Sequence, residues 1–575
     1  MKILLTAVNA KYIHSNPAIY SLKRYADCYR DHIFLSEYTI NHYPDQILQS
    51  LYKQKPDVLA FSCYIWNIGI IEEVIKEYRK LDPKVKIWVG GPEVSYDARA
   101  CMERIPELDG VMVGEGEETF LELAGHYVKD AMPLQDIKGL CYRKEDGSIA
   151  ETACRMPLDF ARLPFMYEEM KGLDAFENRI IYYETSRGCP FSCSYCLSSI
   201  DKRVRLRDFD LVKEELQLFL DKKVAQVKFI DRTFNCNKEH AMAIWRFIKE
   251  QDNGITNFHF EIAADILTEE EMELIKTMRP GLIQLEIGVQ STNPETIKAI
   301  NRAMNLEKVA RNVARVKSGR NIHQHLDLIA GLPYEDYDSF AKSFNDVYAM
   351  EPDQLQLGFL KVLKGSYMKE VCKEHGIVYK SKAPYEVLYT KYLSYDDMLR
   401  LKALEDMVEV YYNSGQFMNT IKFMEHFYET PFALYESLGA FYERKGYFLV
   451  NHARIRRYEI LREFLIEELD AGEDMLTVLD EVMMYDLYIR EKMKTRPKFA
   501  NAVDEYKKLY KEFFFDKERL KGYGEPLHLE HFTMDVKESA KTGKAVKRDY
   551  FILFDYSRRE PLHGQAYAKE LDSLA

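Results

Sequence analysis

Three cysteines fall within one short segment, R-G-C-P-F-S-C-S-Y-C, at Cys189, Cys193 and Cys196. The C-x3-C-x2-C spacing brings three thiolates, not four, within reach of one metal centre. A closed structural zinc site takes four protein ligands. A four-iron cluster held by three thiolates keeps one iron open to a small molecule, so the spacing points to reaction chemistry as well as support. Three unrelated cysteines, or a zinc knuckle whose fourth ligand lies elsewhere, are the alternatives. An apolar run over residues 179–185 precedes the segment and a polar helical stretch follows it. Strand-to-helix turns of this kind are where α/β folds place ligands.

The elements that must position this turn are legible as recurring apolar runs. Between residues 180 and 362 they fall at 180–185, 225–230, 257–262, 282–289, 325–330 and 355–362, separated by helical segments with acidic starts. Six β/α units predict a barrel or an open three-quarter barrel, with reactive groups at the carboxyl ends of its strands. The cysteine turn follows the first of them. Upstream, runs at 3–8, 58–62, 86–89 and 110–113 alternate with amphipathic stretches and predict a parallel, doubly wound, Rossmann-like sheet. A bridging stretch with Pro157, Pro164 and a short strand at 139–142 reads as a connector. Beyond residue 370 the periodicity becomes helical, at 394–412, 454–468 and 473–492, with Ser394 as a helix start and Gly415 as a stop. An aromatic strand at 550–556 pairs with 527–536. The predicted division is therefore 1–135 Rossmann-like domain, 136–178 connector, 179–365 barrel and 366–575 a mainly helical domain, α/β overall.

At 575 residues, with 47% hydrophobic and 30% charged side chains, the chain reads as several ordinary folded domains. A net charge of −12 argues against nucleic acid or an anionic membrane as the main partner. The basic run Lys202, Arg203, Arg205 and Arg207 is a local exception, readable as an anion contact or a solvated strand edge. The seven cysteines outside the triplet are scattered, which does not suit a disulfide framework. No apolar run approaches the roughly 18 residues a membrane span requires. A reducing cytoplasm is the expected compartment.

C-x3-C-x2-C with the aromatic Tyr195 before its last cysteine resembles the signature of the radical S-adenosylmethionine (SAM) superfamily. That resemblance implies a [4Fe–4S] cluster whose open iron chelates SAM and cleaves it to a 5′-deoxyadenosyl radical. E-I-G-V-Q-S-T-N-P-E-T-I-K-A-I-N-R and H-L-D-L-I-A-G-L-P, within residues 286–333, resemble the fourth and fifth strand regions of oxygen-independent coproporphyrinogen oxidases. The match implies that Gln290 and Asp327 bond the SAM ribose, Arg302 pairs with its carboxylate and Glu261 accepts from its amino group. The Gly-Gly-Glu turn common after the second barrel strand is absent. Asp231-Arg232-Thr233-Phe234-Asn235 stands there, and Asp231 or Asn235 is readable as a SAM contact or a helix cap.

In the first domain, G-G-P-E at residues 90–93, G-E-G-E at 114–117 and the S-C-Y-I-W-N segment resemble the cobalamin-binding domains found ahead of radical SAM barrels. Glycines at strand ends let backbone approach a ligand that side chains would block. Ser62, Gly90, Gly91, Gly114, Glu115 and Gly116 are the implied cobalamin contacts. The loop at residues 9–17 is implied to approach the lower face of the corrin. It departs from the Asp-x-His-x-x-Gly signature, so His14 is expected to pack or cap rather than bind cobalt. The leading expectation is a cobalamin-dependent radical SAM enzyme that methylates an unactivated carbon of a small-molecule substrate, fed by a low-potential donor such as flavodoxin or ferredoxin. The alternatives are a radical SAM cyclase, rearrangement or sulfur-insertion enzyme whose first domain only binds, and a non-enzymatic iron–sulfur carrier or sensor. His528, Glu530 and His531 suit a half-buried strand better than a second metal site.

Overall fold

The computed structural model describes residues 1–168, 179–469, 472–500 and 504–574. The last part of the expected connector, 169–178, lies outside the described residues.

The first domain is a seven-stranded sheet in the order β2-β1-β3-β4-β5-β6-β7. Its strands are β1 (Ile3–Asn9), β2 (Ile33–Thr39), β3 (Val58–Ser62), β4 (Lys86–Gly90), β5 (Gly110–Met112), β6 (Leu140–Arg143) and β7 (Ile149–Glu151). The first five are parallel, and β6 and β7 extend the sheet antiparallel. Two expectations are corrected here. The strand read into the connector is part of this sheet, because Leu140, Cys141 and Tyr142 are buried against β5. Strand β2 escaped the reading because it is an edge strand: only Ile33 and Thr39, its two ends, are buried, and its apolar Ile33-Phe34-Leu35 is too short to mark a strand.

The barrel is a six-stranded open sheet, all parallel. It consists of β8 (Ile181–Tyr183), β11 (Gln226–Phe229), β12 (Asn257–Ile262), β13 (Ile283–Gln290), β14 (His323–Ala330) and β15 (Gln354–Phe359). The short β9 (Ser186–Arg187) and β10 (Arg205–Leu206) pair antiparallel around the cysteine turn. Along β13, buried Ile283, Leu285, Ile287 and Val289 alternate with half-buried Gln284, Glu286, Gly288 and Gln290, the period of a strand with two distinct faces. The apolar face meets the outer helices: Phe260 on β12 packs on Phe229 and on Trp245 of helix Lys238–Glu250. The other face fills the barrel with polar groups. Lys228 Nζ and His259 Nε2 both lie 2.9 Å from Glu286 Oε2, and Gln284 Nε2 lies 2.7 Å from His325 Nε2.

An open barrel has two strand edges, and chain from outside the barrel meets each of them at one point. At β8, Ile180 N donates to Ile13 O (2.7 Å), Ser15 Oγ to Ile180 O (3.1 Å) and Arg179 Nη2 to His14 O (3.0 Å). At β15, Asn413 accepts from Leu355 N (2.8 Å) and donates to Leu355 O (2.9 Å). Asn413 ends the helix that Ser394 opens with a capping box, and Gly415 follows with φ +59°. Helices Pro431–Lys445, Arg454–Leu469 and Glu473–Tyr488 and a three-stranded antiparallel sheet (Leu527–Met534, Lys547–Arg559, Ala566–Leu571) complete the third part. Within that sheet Glu530 is held by Arg496 and His528, and His531 faces Asp549. No helix among the described residues is long and apolar enough to cross a membrane.

The basic run divides in two. Lys202 and Arg203 are exposed, with Lys202 Nζ donating to Phe191 O (2.6 Å), whereas Arg205 pairs with Glu115 and Arg207 with Glu215. Arg207 and Glu215 are 4% and 6% exposed, and the Tyr183 hydroxyl donates to the same carboxylate. Removing one member of such a pair strands a buried charge. Arg207→Ala is therefore expected to destabilise the fold by about 3–5 kcal/mol, and Arg207→Met with Glu215→Leu to recover most of it. Denaturant titration of the three proteins checks this, and an unchanged midpoint for Arg207→Ala would refute it.

Candidate cofactor site

The cysteine turn is fixed from several directions. Gly188 has φ +94°, and a Cβ there would stand 2.2 Å from Arg203 O, so only glycine fits between β9 and the returning strand. Cys189 N donates to Asp201 O (3.0 Å), Ser194 N to Ile300 O (2.9 Å) and Met368 N to Ser194 O (2.8 Å). Ser199 Oγ closes the turn on Cys196 O at 2.6 Å. Cys189 and Cys193 are buried, Cys196 is half-buried, and all three are free thiols. They edge one cavity of about 190 Å³ at the carboxyl ends of the barrel strands. Among the described residues no three His, Cys, Asp or Glu side chains gather as around a single ion. A four-iron cluster would spread the three thiolates over separate irons.

That cavity collects every residue expected to touch SAM: Tyr195, Glu261, Gln290, Arg302 and Asp327 line it together with the cysteines. Arg302 is no surface helix charge. It follows Asn301, at φ +53°, and turns back to donate to Gly288 O, to Tyr195 Oη (3.3 Å) and to Cys193 Sγ (3.6 Å). Gln290 has φ +75° where the β13–β14 register shifts, and its amide lies over Gly288, whose missing Cβ would stand 2.3 Å from Gln290 Nε2. Three buried polar atoms in this wall have no hydrogen-bond partner: Gln290 Oε1, Arg302 Nε and Asp327 Oδ1. Each such atom costs about 1–3 kcal/mol unless something polar meets it, so the wall fits a polar ligand.

The electrostatics agree. Burial first, and then Glu286 and Glu261, push the Asp327 carboxyl up to about 8. Burial also raises Glu261, against the opposing pull of Arg232. Glu286 goes the other way: burial would raise it, but the His259 hydrogen bond and Lys228 overcome that and hold it at about 2. Four carboxyl groups, Glu261, Asp265, Glu286 and Asp327, line this small cavity and favour a ligand that brings positive charge.

On the other side of the cysteine turn lies a cavity of about 760 Å³, between the carboxyl ends of β1, β3, β4 and β5 and the barrel mouth. Ser62, Gly90, Gly91, Gly114, Glu115 and Gly116 line it, as do Tyr195 and Cys196. Gly91 has φ +113° and a Cβ there would stand 2.5 Å from Cys63 O, while around Gly114, at φ +83°, a Cβ would meet nothing within 4 Å. These turns leave a backbone cradle that side chains would fill. Tyr64 and Trp66 stack at 4.4 Å along the same wall. Glu115, one of the implied cobalamin contacts, lines this cavity and has protein partners as well. Its carboxylate is engaged by Arg205 (2.6 and 3.1 Å), Leu158 N (2.7 Å) and Arg187 (3.5 Å), so it ties the two domains together at the rim. In the 9–17 loop His14 Nδ1 meets Tyr182 Oη at 2.5 Å, and residues 13–15 pack on the barrel edge. The end of the loop, at Pro17, borders the cavity.

Asp231 and Asn235 are structural, neither SAM contacts nor helix caps. Asp231 accepts from Thr185 N (3.0 Å), Thr185 Oγ1 (2.7 Å) and Ser186 Oγ (2.6 Å), Asn235 brackets Ala263, and Asn237 caps the helix. Arg232 and Thr233, which the motif reading passed over, line the cavity instead. The signal was present in the alternation, since a residue next to a buried strand-end carboxylate faces the opposite way.

Residues 3–124 match the family described as B12 binding domain, residues 183–347 the Radical SAM superfamily, and residues 373–554 a protein of unknown function, DUF4080. The chain is 29% identical over 310 residues to the cobalamin-dependent radical SAM methyltransferase TokK of Streptomyces tokunonensis, covering 51% of this chain and 44% of that one. It therefore spans less than half the length of that relative. It is 25% identical to the uncharacterized methyltransferase PH0819 of Pyrococcus horikoshii, over 62% of this chain and 76% of that one. In fold it resembles the cobalamin-dependent SAM radical enzyme OxsB with aqua-cobalamin bound, at TM-score 0.59 and 16% identity, over 85% of this chain and 80% of that one. The two functional domains imply cobalamin, SAM and a [4Fe–4S] cluster as cofactors.

The glycine ahead of the cysteines gives a direct check. Gly188→Ala is expected to lower bound iron after anaerobic reconstitution by several-fold, because the Cβ must displace the Arg203 carbonyl and the αL strain adds about 1–2 kcal/mol. Iron and sulfide assays on matched samples measure it, and full iron content in the variant would contradict the geometry.

Proposed function

We propose that this chain, a radical SAM superfamily protein whose barrel follows a B12-binding domain, is a cobalamin-dependent radical SAM enzyme that methylates an unactivated carbon of a small-molecule substrate. The observation that carries the reading is the shared wall: Tyr195 and Cys196 border both the small polar cavity and the large one under the glycine turns. A cluster on this turn therefore has the two cavities on either side of it, one suited to SAM and one to a corrin. When bound, these groups supply one-electron cleavage of SAM and a methyl group carried on cobalt.

The chain's own residues divide the work. Cys189, Cys193 and Cys196 hold the cluster. Glu261 accepts from the SAM ammonium and Arg302 presents its guanidinium fork to the carboxylate, a charge-assisted contact. Gln290 and Asp327 take the ribose hydroxyls, and Tyr195 keeps Arg302 in place through its hydroxyl (3.3 Å). Ser62, Gly90, Gly91, Gly114 and Gly116 let the corrin lie close to backbone, while Glu115 acts at one remove by holding the barrel against that cradle. The domain limits of this reading are 1–151 for the cobalamin domain, 179–365 for the barrel and 366–575 for the appended part. A low-potential donor such as flavodoxin or ferredoxin, in a reducing cytoplasm, completes it.

Anaerobic reconstitution with iron, sulfide and cobalamin, followed by SAM and a reductant, tests the reading. The expected result is 5′-deoxyadenosine formation that vanishes in Cys196→Ala, together with visible absorbance of protein-bound corrinoid. No SAM cleavage by the reconstituted wild-type protein would sink it.

A pH dependence also follows. Asp327 sits at about 8 without ligand, so below that pH it is protonated and must ionise to accept strongly from the ribose hydroxyls. SAM affinity is therefore expected to rise with pH, by roughly ten-fold or more between about pH 6.5 and about pH 8.5. Asp327→Asn should flatten that profile, and binding measured by calorimetry across the range would reveal a wild-type profile that is already flat.

A further inference from the structure

The loop after β11 carries one cation whose partner is missing. Arg232 lines the polar cavity beside the cysteines, the large cavity under the glycine turns and a third space of about 520 Å³ that opens next to them. It is the cation common to all three walls. Its backbone is pinned by the buried neighbours Asp231 and Phe234, yet its own side chain is 54% exposed. The nearest carboxylate, Glu261, lies 3.9 Å away, the outer limit of an ion pair, and among the described residues the guanidinium donates no hydrogen bond.

The other cations in these walls are engaged. Arg187 donates to Glu117 (2.7 Å) and Glu184 (2.9 Å), Arg205 to Glu115 and Lys364 to Glu93 O (3.3 Å), Arg302 turns onto Gly288 O, and Arg155 serves Glu118 at 2.9 Å. Arg203 faces solvent beside Asp201. The carboxylates Glu115, Glu117 and Glu184 are answered in the same network. Arg232 is thus an available planar fork at the junction of the two cofactor cavities, and such a fork matches carboxylate and phosphate oxygens two at a time.

We infer that Arg232 is a specificity-determining residue and that the substrate carries an anionic group, a carboxylate or a phosphate, which this guanidinium holds between the two cavities. The inference rests on the occupancy proposed above for those cavities. It has a second part: once the SAM ammonium engages Glu261, the one weak partner of Arg232 is taken, so anion binding tightens when SAM is present.

The test uses cluster-loaded full-length protein and two probes, inorganic phosphate and acetate, titrated separately by calorimetry with and without SAM. At least one anion is expected to bind the wild type, more tightly with SAM. Its Kd should rise at least ten-fold in Arg232→Gln and by an intermediate factor in Arg232→Lys, which keeps the charge and loses the fork. Preference for phosphate or for acetate assigns the substrate's anionic group. The inference is overturned if neither anion binds the wild type, if Arg232→Gln binds both as the wild type does, or if SAM affinity falls more than anion affinity in that variant. Formation of 5′-deoxyadenosine by the wild type, followed in parallel, reports on the cofactor reading separately: its failure with anion binding intact leaves Arg232 standing, and the reverse sinks Arg232 alone.

Discussion

Two parallel sheets present their carboxyl ends to one shared space, and buried ion pairs hold them there, with one guanidinium at their centre. Arg187, at the end of β9, reaches across to Glu117 of the first domain while keeping Glu184 of its own barrel, and lies over the Phe160 ring at 4.9 Å. Burial would weaken its charge, but the surrounding carboxylates more than compensate and raise its pKa. On the far side Lys364, at 3.1 Å from Glu93 and 3.2 Å from Asp97, pins the loop after β15 to the G-G-P-E turn. Buried ion pairs of this kind contribute little net stability, yet removing one partner is costly. They therefore act on orientation, aligning the glycine turns with the cysteine turn.

The barrel adds a second constraint. Most barrels of this type pack branched apolar side chains inside. Here the inner faces of β11, β12, β13 and β14 carry Lys228, His259, Glu286 and His325, and the apolar mass lies outside, between strands and helices. Glu286 is at once part of that inner network and part of the floor beneath Asp327 and Glu261. The unusual carboxyl in this cavity, Asp327, thus owes its state to a charge on the neighbouring strand, two residues further into the barrel, as well as to its own burial.

What was legible in the sequence was local. The cysteine spacing, the strand-end glycines and the Ser394 cap each depend on neighbours within a few residues. The place of Arg302 in a cavity was not legible locally, because it depends on the left-handed Asn301 and on Gly288, fourteen positions upstream. Glu115 was read with its glycine neighbours, and its tie to Arg205, 90 positions away, had no local pattern to reveal it. Strand β2 failed for the opposite reason, since an edge strand with a mixed face carries no period to read. In Asp231-Arg232-Thr233 the acid drew attention by its chemistry, although its position at a strand end turned it inward.

The contacts at the edges of the open barrel bear on modularity. Three family matches divide the chain into three stretches, as though each were a movable part. Yet β8 finds its outer partner in residues 13–15 and β15 finds its own in Asn413. A fragment beginning after the first stretch, or stopping before the third, would leave the Ile180 peptide ahead of β8, or the Leu355 peptide in β15, without its partner at the edge of a parallel sheet. The units that sequence comparison separates thus share contacts at the barrel's strand edges, and shuffling any of them onto another barrel would have to bring a substitute for the contact it supplies.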